Sequence, residues 1–223
     1  YSPADDTYAT TWSELGVGCE ACHGPGSRHV AWAGQGGSGD RADAGDAGLV
    51  VPLGQRRGAT WVLSPGRTTA SRVPAATGSQ ELAVCAQCHS LRAPMAAGMA
   101  HDGRFLETHD IALLAAGQYY DDGQQRGEVY EVGSFLQSRM HAAGVTCSDC
   151  HDPHSATLRL PGNATCTQCH SPQAFDTPAH TLHPAPGGPA CVDCHMPATT
   201  YMGVDSRRDH SFRVPRPDLA HLD

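Results

Sequence analysis

The sequence predicts a mainly α and irregular fold, short helices and loops with little β, wrapped around an interior that side chains alone do not fill. Three observations carry that expectation. Only 39% of the 223 residues are hydrophobic and 6% aromatic, a poor supply for a side-chain core. Gly (25) and Pro (16) are frequent enough to interrupt long elements. Ten Cys and fourteen His are far above ordinary usage. The net charge is −8 and there is no Lys, all fifteen basic residues being Arg. With no basic stripe to neutralise phosphates, a nucleic-acid partner is not expected. The most apolar run, "DIALLAAG", is far short of the roughly 20 residues of a membrane span, so none is expected. Beginning at Tyr1 with no signal-like segment, the chain reads as a processed product or an excised portion of a longer one.

The cysteines resolve the composition. Each lies in a Cys-x-x-Cys pair and each pair is followed at once by His. The five are "CEACH" (Cys19, Cys22, His23), "CAQCH" (Cys85, Cys88, His89), "CSDCH" (Cys147, Cys150, His151), "CTQCH" (Cys166, Cys169, His170) and "CVDCH" (Cys191, Cys194, His195). This is the attachment signature of c-type haem. Two thiols on one helical turn reach the two vinyl groups along one porphyrin edge, and the next His lies under the iron as its proximal ligand. Zinc explains paired cysteines but not the His behind each pair. A thioredoxin-like dithiol wants one pair beside a βαβ unit, and a disulfide framework has no use for the histidines. Five haem c groups, each with its iron, would be the interior, giving a closely packed pentahaem core.

The chain is therefore expected to form one pentahaem domain over 1–223. The last three motifs make a compact three-haem segment, 147–195, and the Gly/Asp-rich stretch 34–48 reads as a flexible surface loop without a ligand. Helices are expected at the attachment sites. "SQELAVCAQCH" has Ser79 as N-cap, and "HDIALLAAGQYY" has Asp110 as N-cap. "YEVGSFLQSRMHAAGV" is the best helix, with Val132, Phe135, Leu136 and Met140 on one face. Asn163 is a candidate cap for the turn carrying "CTQCH". The only strand signals are "GLVVPL" and "TWVLSP".

Nine histidines lie outside the motifs: His29, His101, His109, His141, His154, His180, His183, His210 and His221. Each iron has a sixth position, and a second imidazole there suits it to electron transfer. By context the favoured distal candidates are His29, His141, His154, His183 and His210, with His180 beside His183 in "HTLHP" left open. His154 follows His151 by three residues, a link too short to reach round a porphyrin. It is therefore expected to ligate a different haem and pin two haems side by side.

Three stretches carry a resemblance: "TYATTWSELGVGCEACHGPGSRHVAWA", "EVGSFLQSRMHAAGVTCSDCHDPHSATLRLPGNATCTQCH" and "CVDCHMPATTYMGVDSRRDHSFRVPRPDL". They resemble bacterial multihaem c-type cytochromes that are often joined to tetratricopeptide repeats and related to the tetrahaem electron acceptor of hydroxylamine oxidoreductase. The resemblance implies an exported, periplasmic or extracellular protein with closely packed, largely bis-His haems. Carried over by motif, it points to His29, His141, His154 and His210 as distal ligands.

The expected function is an electron-transfer conduit through five covalently bound, mostly bis-His haems, working with redox partner proteins or further copies of itself, even as an extracellular filament. It is not expected to be an enzyme. The alternative is a multihaem redox enzyme acting on a small nitrogen or sulfur compound at one open-site haem. The Lys-ligated active haem of pentahaem nitrite reductases is excluded, because the chain has no Lys. A haem-based gas sensor is a weaker third reading.

Overall fold

The computed structural model describes residues 1–12, 14–37, 46–76, 80–96, 104–112, 114–184, 188–216 and 218. The chain divides into two compact units, Tyr1–Pro52 and Leu53–Asp223.

In the first unit, α1 (Cys19–His23) is the first attachment turn and α2 (Ser27–Gly34) follows. A Glu20 carboxylate oxygen accepts the Gly26 N–H at 2.6 Å, which fixes the start of α2 to α1. Of the expected loop 34–48, residues 38–45 lie outside the described residues. Its far end is docked rather than loose. Gly48 has φ +73°, and a Cβ there would sit 2.6 Å from the Arg28 carbonyl oxygen. Only glycine meets both demands. The expected strand "GLVVPL" does not form. Val51 instead turns inward, fully buried, and its N–H donates to the His23 carbonyl.

The second unit runs β1 (Thr60–Val62), β2 (Ser71–Val73), α3 (Gln80–His89), β3 (Arg92–Pro94), α4 (Phe105–Thr108), β4 (His109–Ile111), α5 (Tyr130–Leu136), α6 (Arg139–Ala142), α7 (Cys147–Cys150), β5 (His151–Asp152), β6 (Thr157–Leu158), α8 (Ala164–Thr167), α9 (Pro172–Phe175), α10 (Pro178–Thr181), α11 (Cys191–His195), β7 (Ala198–Tyr201) and β8 (Asp205–Arg208). The strands form four separate two-stranded antiparallel ribbons, β1–β2, β3–β4, β5–β6 and β7–β8. The fold is mainly short helix and irregular chain with little β, as expected. Among the described residues the apolar cluster of buried side chains is small: Ala86, Phe105 and Val132, with Leu82, Ala83 and Ile111 against them.

Two expected helices differ. The helix over 130–145 is two helices, because Ser138 adopts an extended conformation and its hydroxyl accepts the His141 N–H. A buried serine that satisfies an N-terminal donor starts a new helix rather than continuing the old one. Val132 and Phe135 are buried as expected, but Leu136 is exposed. Asp110 caps no helix: it pairs with Ala93 in β4. Ser79, the expected cap of α3, lies outside the described residues.

With so little apolar contact, polar side chains place the attachment turns. In α7 and α11 the residue before the second Cys is Asp, one turn from the helix start. Asp149 accepts the Thr146 N–H at 2.8 Å, and Asp193 accepts the Ala190 N–H at 3.1 Å. Each thereby closes its own turn. The buried Glu81 of α3 reaches α7, accepting the Ser148 N–H at 2.7 Å and its hydroxyl at 2.8 Å. A carboxylate at a helix N-terminus satisfies unmatched donors and complements the helix dipole. Glu81→Ala should therefore lower the denaturation midpoint of the haem-loaded protein by the equivalent of roughly 1–3 kcal/mol. Glu107→Ala, at a site 65% exposed, should change it little. Equal midpoints, measured by circular dichroism in denaturant, would contradict this account of α7.

Candidate haem sites

All five Cys-x-x-Cys-His motifs lie on helical turns or at their ends. Cys19–His23 and Cys191–His195 are α1 and α11, and Cys85–His89 ends α3. Cys147–Cys150 is α7, with His151 starting β5. Cys166 lies in α8, and the turn continues to His170, whose N–H donates to the Cys166 carbonyl. None of the ten cysteines is in a disulfide; Cys19, Cys88 and Cys194 are exposed and the other seven half-buried. Among the described residues, no three His, Cys, Asp or Glu side chains converge as a metal cluster would need. The donor set is thus thiol pairs at the polypeptide surface with single imidazoles beside them, which suits covalent haem c and does not suit tetrahedral zinc.

The imidazoles are oriented through Nδ1. His23 donates to the Val51 carbonyl at 2.7 Å and His195 to the Arg213 carbonyl at 2.7 Å. Two distal candidates do the same, His29 to the Ala47 carbonyl at 2.8 Å and His210 to the Arg208 carbonyl at 2.9 Å. A carbonyl can only accept, so Nδ1 carries the proton and Nε2 keeps its lone pair for a metal. Ala47 belongs to the stretch expected to be an idle loop; its carbonyl orients His29. His170 is held by the Thr69 hydroxyl at 3.3 Å, and His89 donates to Glu131 at 3.2 Å.

Aromatic rings add a second restraint. The chain has four Phe, and each touches an imidazole: Phe105 with His109, Phe135 with His141, Phe175 with both His170 and His180, Phe212 with His210. Trp32 lies against His29. His109 is buried at 7% exposure and acts as core against Phe105. His141 edges a hollow of about 320 Å³ lined also by Leu82, Phe135 and Thr146, between the second and third attachment turns.

Two motif histidines have an imidazole opposite. His151 and His210 are 6.3 Å apart, centre to centre, with planes inclined by 28°. His195 and His180 are 5.9 Å apart and inclined by 13°. Metal–imidazole bonds are about 2 Å and the ring centre lies about 1 Å beyond, so axial ligands sharing one ion sit roughly 6 Å apart. Both pairs fit that spacing. Burial pushes the His151 imidazole down, with His210 and His89 acting in the same direction. Burial and then His195 do the same to His170. Each is favoured in the neutral form that binds a metal.

Of the two histidines in "HTLHP", the structure brings His180 to a motif histidine. Thr177 and Pro178 start α10 at the position that places it there. His183 is exposed one residue past the left-handed Leu182. His154 is 85% exposed, its Nδ1 3.9 Å from Asp152. His101 and His221 lie outside the described residues.

Successive turns of the second unit are tied together. Glu81 joins the second motif to the third, as described. Gln168, inside the fourth motif, donates to the Asp149 carbonyl of the third at 3.2 Å. Asn163, which makes no cap bond to its own helix α8, instead accepts the Cys191 N–H of the fifth at 2.9 Å. The thiols follow the same order. Cys85 hydrogen-bonds Cys147, and Cys166 hydrogen-bonds Cys191. The Cys85 contact and burial raise the Cys147 thiol well above its ordinary range. Burial and Cys191 push Cys166 up to about 12, and burial and Asp149 push Cys169 up to about 11. The sequence alone does not single out Glu81, Gln168 or Glu131, and it reads Asn163 as a local cap, whereas Asn163 serves Cys191. Glu81 could have been found, because it sits one helical turn before Cys85.

A family model described as the doubled CXXCH motif matches residues 140–175, which hold the third and fourth motifs. No curated protein and no solved structure matches the chain. Among the described residues, no helix is long and apolar enough to cross a membrane. The doubled haem-binding motif, on turns whose thiols and imidazoles are placed for haem c and its iron, supports a multihaem c-type cytochrome.

Proposed function

We propose that the chain is an electron-transfer conduit carrying five haem c groups, one per motif, most of them bis-His. The observation that carries this reading is the facing of His151 by His210 and of His195 by His180. Bound there, haem c supplies an iron that takes up and releases one electron with little change in its surroundings. At these two sites a second imidazole would hold the iron and leave no open place for a substrate, which supports an electron carrier over an enzyme.

Cys85 beside Cys147 and Cys166 beside Cys191 bring the thioether edges of neighbouring sites together. Short edge-to-edge distance is what a conduit requires. The proposed distal set is His29, His141, His154, His180 and His210, with His180 replacing the expected His183. Because His210 faces His151, His154 is left for a neighbouring haem, as its short link to His151 requires. The protein acts after export, in the periplasm or outside the cell, with redox proteins or further copies of itself as partners. The resemblance to cytochromes related to the acceptor of hydroxylamine oxidoreductase implies that placement, and end-to-end stacking of copies would extend the conduit into a filament.

Mass spectrometry of the denatured chain should show five haem additions. Electron paramagnetic resonance of the oxidised protein should show low-spin iron alone. A substantial high-spin signal in the parent protein would favour the enzyme reading, and a chain without haem mass would end both. His180→Ala should turn one haem high-spin with all haems still attached. His183→Ala should leave the spectrum unchanged; the reverse outcome would restore His183 as the ligand.

A further inference from the structure

The motif histidines differ in what holds Nδ1. His23 and His195 donate to backbone carbonyls, and His170 meets a hydroxyl. His89 donates to a carboxylate, Glu131 on α5, at 3.2 Å. The Glu131 side chain is 27% exposed, so water screens it only in part. A neighbouring cation is already engaged. Arg207, within the field of Glu131, pairs with two other carboxylates, Glu128 at 2.9 Å and Asp205 at 2.7 Å, so its charge is already shared. The imidazoles of His151 and His210 also lie within the field of Glu131.

A carboxylate on Nδ1 draws the ring proton toward itself and makes Nε2 a stronger donor. A stronger axial donor and a nearby negative charge both favour ferric over ferrous iron. We infer that Glu131 holds the haem attached through Cys85 and Cys88 at the lowest reduction potential among the four sites of the second unit. Glu131 is a tuning residue acting through His89, and the inference rests on the conduit reading. It gives the array a direction. A reduced protein partner delivers one electron at this site, and one electron leaves for the sites held by His151, His170 and His195, with no bond made or broken.

The test is spectroelectrochemical titration of the haem-loaded protein. Glu131→Gln keeps an acceptor for His89 and removes the charge. One midpoint should rise by about tenfold in its reduction equilibrium, about 59 mV for one electron. The midpoint of the site beside His151, which lies in the same field, should rise by less, and the rest should hold, with haem mass and the low-spin spectrum unchanged. Glu131→Asp, which keeps the charge but draws it back, should give a smaller rise. Glu107→Gln removes the same charge at an exposed site and should shift nothing. Unchanged midpoints in Glu131→Gln, or an equal shift in Glu107→Gln, would overturn the tuning role and leave the conduit standing. Absence of haem on the peptide holding Cys85 and Cys88 in the parent protein would overturn both.

Discussion

The carboxylate of Glu81 on the first turn of α7 is the interaction on which the second unit most depends. A four-residue helix has no stability of its own in water, and α7 buries no apolar face that could supply it. Two hydrogen bonds from Ser148 to one buried acid fix where Cys147 and Cys150 point. Hydrogen bonds to a charged acceptor are the strong ones, and leaving their donors unmatched is costly. Gln168 and Asn163 repeat the device for the next two turns. The spacing between attachment turns is thus set by side chains that reach from one motif to the backbone of another, and directional bonds fix distance more sharply than apolar contact does.

The same economy explains the aromatics. Four Phe are too few to make a core, yet every one of them lies against an imidazole. A ring on one side and a hydrogen bond at Nδ1 leave an imidazole little freedom, and a ligand held in advance costs less entropy when it binds. Phe175 touches both His170 and His180, so one ring steadies two imidazoles at once. Phe212 touches both His210 and Phe135, and Phe135 touches His141, which links three more side chains in the same manner.

The attachment turns were legible because their chemistry is local: five residues carry both thiols and the imidazole. His210, singled out by its motif residues, does lie 6.3 Å from His151, while His29 and His141, singled out in the same way, lie against Trp32 and Phe135. The long helix over 130–145 misled, because the apolar spacing continues through Ser138 while its hydroxyl starts a new helix. Val51 read as strand, yet its role is to hold His23 by backbone groups that no side-chain pattern reports. His180 and His183 are alike in sequence, and only the left-handed turn at Leu182 separates their directions. Glu131 and His89 are 42 residues apart, and no spacing rule joins them. Asn163 looked like a local cap and serves a helix 28 residues away.

The central claim is that four sites of the second unit follow one another in the order of His89, His151, His170 and His195, with axial pairs His151–His210 and His195–His180. Crystals of the haem-loaded protein, measured at the iron absorption edge, locate every iron directly. The account predicts one iron between His151 and His210, one between His195 and His180, and four irons of this unit in chain order as nearest neighbours. Irons found away from either histidine pair, or neighbours in another order, would contradict it.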